Sequence, residues 1–159
     1  MEAQERNRGT SPGRSSRRYA LDGGPGTAGF LRRLSAQAVA DWYGPLSASA
    51  RTAVADVQLL VTELVLDAVR RGGVPYEFRL DRSADGVLLQ VSDTWSPAPC
   101  PEGRHRPGAP GRTTLHLVRR LAATWGWTVR DHGRTVWCEV RVPQVPAAPR
   151  HLSEAAPGG

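Results

Sequence analysis

The chain contains no lysine, no isoleucine and a single methionine, so its 21 basic side chains are all arginine. P-loop ATPases, eukaryotic-type protein kinases and Schiff-base enzymes each depend on a lysine amine. One missing residue type therefore excludes three large catalytic classes. Aromatic residues are sparse, at five tryptophans, three tyrosines and two phenylalanines. They form no aromatic–basic platform of the kind that stacks nucleobases. The two cysteines, Cys100 and Cys138, lie far apart in the sequence and show no CxxC spacing. The four histidines, His105, His116, His132 and His151, fall in no HxxxH or HExxH pattern, so no metal cage is expected. No apolar run approaches the roughly 20 residues that cross a bilayer. The basic N-terminal stretch lacks the apolar segment that would follow it in a secretory signal. These absences predict a cytoplasmic protein without a membrane partner and without a disulfide.

What is present suits one globular domain. The chain has 159 residues, 40% of them hydrophobic, together with 17 glycines. The net charge of +6 raises nucleic acid as a partner class. Dispersed arginines and the lack of a recognition helix or stacking platform argue against it. Residues 1–15 and 144–159 are polar or rich in Pro, Ala and Gly and carry no apolar period. They are expected to be disordered tails around a domain at 16–143.

Within that domain the signals alternate. Arg17 to Leu21 reads as an edge strand. Thr27 is placed to cap a helix that runs to about Trp42, with Phe30, Leu31, Leu34, Ala38 and Val39 at helical spacing. A second helix is expected from about Ser49 to Arg71, ended by Gly72 and Gly73. Tyr76–Leu80 and Val87–Val91 alternate as a hairpin turning at Asp85-Gly86. Residues 93–112 read as a long Pro/Gly/Arg loop, of the length that binding loops have. A third helix from Thr113 to about Trp125 and a last hairpin, Trp127–Val129 with Thr135–Val142, complete the order. The expected class is α+β, a two-layer sandwich of a mainly antiparallel sheet and three helices.

The second helix carries an unusual polar stripe. Val54, Val57, Val61, Leu64, Val65 and Ala68 share one face, and Leu59 and Leu66 are apolar on the other. Glu63, Asp67 and Arg70 run between these patches at i, i+4, i+7. Such a stripe suits a cavity wall, with Glu63 as proton acceptor and Asp67 as a Mg²⁺ ligand. It equally suits salt bridging of Asp67 to Arg70 or Arg71. The third helix would open next to Arg104, Arg106 and Arg112, where arginines and free N–H groups would attract phosphate.

Four segments in order carry a family resemblance. TELVLDAVRRG (62–72) resembles the S-E-L-V-T-N-A-V-R-H-G box of bacterial histidine-kinase-like ATPases, in the branch of the anti-sigma-factor serine/threonine kinases. VSDTWSPAP (91–99) resembles that branch's V-x-D-x-S-P box. LHLVRRLAATWG (115–126) and GRTVWCEV (133–140) resemble its third helix and last strand. The resemblance implies the Bergerat ATP-binding fold over roughly residues 17–142, with ATP and Mg²⁺ as cofactors. By position it makes Glu63 the general base, Asp67 the metal ligand and Asp93 the acceptor of the adenine amine. Thr135 would be a hydroxyl near the base, and Arg112, Thr113 and Thr114 would flank the phosphates. It also implies a sigma factor or an anti-sigma antagonist as partner, and pairing of two copies.

The departures from the pattern are specific. Asp67 stands where the family has a metal-binding asparagine, and Trp95 where it has a glycine. Thr114 replaces a lid glycine and Arg71 a histidine. Two functions follow from the resemblance: an ATP-dependent protein kinase that also sequesters a sigma factor, or a docking module of the same fold with weak or lost nucleotide binding.

Overall fold

A computed structural model describes residues 15–44, 47–96 and 115–143. Both predicted tails, apart from Ser15, and most of the long loop lie outside the described residues. The described elements follow the order β1 (Ser16–Ala20), α1 (Thr27–Tyr43), α2 (Ala48–Arg70), β2 (Pro75–Arg82), β3 (Gly86–Asp93), α3 (His116–Leu121), β4 (Thr124–Arg130) and β5 (Gly133–Arg141). The strands form one sheet in the order β1-β2-β3-β5-β4, and every neighbouring pair is antiparallel.

Alternation along the strands builds the core. Phe78 and Leu80 of β2, Val87, Leu89 and Val91 of β3, and Val136, Cys138 and Val140 of β5 are buried on one face. Val57, Leu60, Val61, Leu64 and Val65 of α2 and Leu31, Ala38 and Val39 of α1 join them in a single cluster. The intervening residues, among them Glu77, Arg79, Gln90 and Glu139, are not buried. The result is a two-layer α+β sandwich with one apolar interface. Among the described residues no helix is long and apolar enough to cross a membrane.

Helix ends are set by local chemistry. Ser47 caps α2 by accepting from the Ala50 N–H at 3.2 Å. At the other end Gly72 takes φ +81°, so the Gly72 N–H reaches the Val69 carbonyl and the Gly73 N–H that of Ala68, both at 2.9 Å. That pair of bonds satisfies the carbonyls the helix leaves open.

Two expectations need correction. Thr27 is not a cap: Gly26 holds that position without a side-chain bond, and the Thr27 hydroxyl donates to the Gly24 carbonyl at 2.7 Å. The third helix stops at Leu121 rather than Trp125. Ala122 is already extended, and Thr124 to Arg130 pair with β5, Trp125 opposite Cys138. Pairing with a core strand outweighs the helical preference of the local run.

Candidate functional site

The pleat of two central strands decides which side chains meet. Asp93 ends the helix-facing row Val87, Leu89, Val91 on β3, and Arg134 begins the row Val136, Cys138, Val140 on β5. The two are direct register partners. An otherwise apolar double row thus finishes in a carboxylate and a guanidinium, both turned toward α2. Asp67 lies on the core side of that helix, one turn beyond Glu63.

Arg134 joins the two aspartates. Its Nη2 donates to Asp67 Oδ2 at 2.7 Å and to Asp93 Oδ2 at 3.0 Å, and its Nε lies 3.4 Å from Asp93 Oδ2. The aspartates are 0% exposed and Arg134 is 3% exposed. A second guanidinium completes the charge balance, with Arg71 Nε donating to both Asp67 oxygens at 3.2 and 3.3 Å. Two anions and two cations therefore cancel where an uncompensated charge would cost several kcal/mol, on the order of 3–5.

Trp95 closes the cluster. Its backbone N–H donates to Asp93 Oδ1 at 2.7 Å. The indole lies 5.5 Å from the Arg71 guanidinium carbon and 5.2 Å from that of Arg134, within cation–π range of both. Gly73 makes this fold-back possible, because a Cβ there would sit 2.7 Å from Asp93 Oδ1 and 2.9 Å from Trp95 Cβ. Both oxygens of Asp93 are thus engaged by the chain itself. An exocyclic amine would have to share a carboxylate that is 0% exposed and already accepts three hydrogen bonds.

Glu63 serves a different element. Its Oε1 accepts from the Leu117 N–H at 3.0 Å and its Oε2 from the Val118 N–H at 2.7 Å. The N-terminal residue of α3 offers no side-chain cap, so α2 supplies one across space. The neighbouring Cys138 thiol is pushed up to about 12, by burial first and by the Glu63 charge second.

No protein-family model matches the chain, and no curated protein does. The site is therefore defined by its own geometry.

That geometry brings Asp67 and Asp93 together and sends Glu63 and Thr135 elsewhere. Thr135 lies on the face of β5 opposite Arg134, where its hydroxyl shares a 2.9 Å hydrogen bond with Ser92. Arg112, Thr113 and Thr114, together with Arg104 and Arg106, lie outside the described residues. Among the described residues no group of three or more His, Cys, Asp or Glu side chains is placed to hold a metal. The central residue, Arg134, is absent from the candidates that sequence pattern suggests. Its signal was parity: it shares the even register of Val136, Cys138 and Val140, a row in which an arginine must find a buried anion.

Proposed function

We propose that this chain is a regulatory docking module on the Bergerat, histidine-kinase-like ATPase fold. In this reading it acts in the cytoplasm by partner switching with a sigma factor or an anti-sigma antagonist. On the same reading the residues at the family's ATP-contacting positions, Asp67 and Asp93, are bound to Arg134 instead. The fold order, the four sequence boxes and the two-layer sandwich support the family. The Arg134 bridge between Asp67 and Asp93 supports the loss of nucleotide.

ATP and Mg²⁺ do not fit these residues as they stand. The adenine-recognising carboxylate would be Asp93, and its two oxygens are already held by Arg134 and the Trp95 amide. The metal ligand would be Asp67, which is ion-paired to Arg71 and Arg134. A base at Glu63 would have to release two backbone amides of α3. Each requirement removes a satisfied, desolvated interaction before any ligand contact is gained. Kinase activity is accordingly the alternative, not the conclusion.

The test is calorimetric titration of the full chain with ATP and a non-hydrolysable analogue, each with and without Mg²⁺. No binding up to millimolar nucleotide is expected. A micromolar, Mg²⁺-dependent Kd would overturn the docking-only reading and restore the kinase.

A further inference from the structure

The buried cluster leaves the outer face of α2 unexplained. Ala55, Leu59, Thr62, Leu66 and Val69 recur there at spacings of 4, 3, 4 and 3, opposite the core face of Val57, Leu60, Val61, Leu64 and Val65. Leu59 is 48% exposed and Leu66 39%. Alternating 3- and 4-residue spacing is the seam that one helix offers to another. A helix apolar on two opposite faces is ordinarily covered on both.

All of this seam but Val69 lines a groove of about 550 Å³. Ala55, Leu59, Thr62 and Leu66 form its floor, with Arg32 of α1 and Leu117 of α3 as walls. Three charged residues line it: Arg32, Arg70 and Glu63. Glu63 is 8% exposed and directs both oxygens to the amides of α3. Arg32 and Arg70 are exposed. The charge the groove offers a visitor is therefore positive.

We propose that this groove receives an acidic amphipathic helix of a partner protein. The partner helix would set apolar side chains at 3–4 spacing on Leu59, Thr62 and Leu66, and carboxylates toward Arg32 and Arg70. From Ala55 to Val69 the seam is about 21 Å long, four helical turns. That length suits helix-in-groove recognition by anchors at i, i+3 or i+4, and i+7. A second copy of the chain is a poorer occupant, because its matching groove would set Arg32 and Arg70 against the same two arginines. The inference rests on the docking reading and names the surface and the partner chemistry that the reading requires.

The probe is a fluorescein-labelled synthetic helix of about 15 residues, with leucines at 3–4 spacing flanked by glutamates. Its counterpart carries lysines in place of the glutamates. Fluorescence anisotropy with the full chain should show saturable binding of the acidic helix and weaker binding of the basic one. Leu66→Asp and Leu59→Asp should each weaken the acidic helix by roughly tenfold or more. Both positions face solvent, so circular dichroism should show unchanged folding. The double variant Arg32→Glu, Arg70→Glu should reverse the charge preference. Absence of saturable binding, or equal affinity for both helices, overturns the proposal. So does a dimer in sedimentation that Leu66→Asp converts to monomer, since the groove would then belong to a second copy. The ATP titration on the same preparation separates the two readings. Nucleotide binding beside helix binding refutes only the loss of ATP, and failure of both ligands refutes only the groove.

Discussion

Arg134 and Asp67 are 67 positions apart in the chain and 2.7 Å apart in the fold. The contact ties the last strand to the longest helix, and it does so at the end of the apolar interface between the layers. Asp93 shares the same guanidinium from the neighbouring strand. A buried cation between two anions favours this register as well as balancing charge, because it places Arg134 opposite Asp93 and within reach of Asp67.

Removing the arginine should therefore be costly. Arg134→Ala takes away the guanidinium that two desolvated carboxylates share, and should lower stability by about 3–5 kcal/mol in urea unfolding. Asp67→Asn in that background should cost less than it does alone, with a coupling of about 1 kcal/mol or more. Additivity of the two substitutions would show that the bridge contributes nothing specific.

Glu63 should report on α3 rather than on chemistry. Glu63→Ala strands the buried Val118 N–H, worth about 1–3 kcal/mol when left unpaired, and the part-buried Leu117 N–H. Hydrogen exchange at Leu117 and Val118 should accelerate well ahead of the strands β3 and β5. Glu63→Gln, which keeps one acceptor, should fall between wild type and Ala. Unchanged protection at those two amides would contradict the cap.

Cys138 should contribute to the pH dependence above neutrality, alongside Tyr43, whose hydroxyl is also pushed up by burial. Burial pushes the Cys138 thiol up to about 12, while an unfolded chain ionises it near the ordinary thiol value. The native state then holds a proton that the unfolded state has lost, so stability is complete below about pH 9 and falls as pH rises toward 12. In a Cys100→Ser background, native protein should resist a thiol reagent at pH 8 and react once unfolded. Cys138→Ala should reduce the alkaline loss of stability. Rapid labelling of the native thiol would contradict its burial.

The sequence by itself determined the elements and their order. Apolar residues at period 3.6 mark α1 and α2, alternation marks β2, β3 and β5, and Gly72-Gly73 marks the end of α2, because these signals act within a few residues. It also singled out Glu63 and Asp67 as a polar stripe on an otherwise apolar helix, and the family resemblance singled out Asp93. The boundary between α3 and β4 was not legible, since the run through Trp125 favours a helix locally and only pairing with Cys138 on β5 makes it a strand. Neither was the partner of each carboxylate. Local spacing offered Asp67 an arginine at i+3 or i+4, and the fold added one from a strand 67 residues away. Whether Asp93 faces a ligand or Arg134 depends on the register of β3 against β5 and on which face the pleat turns inward. Those are properties of the assembled sheet, and they decided that the two aspartates close on an arginine.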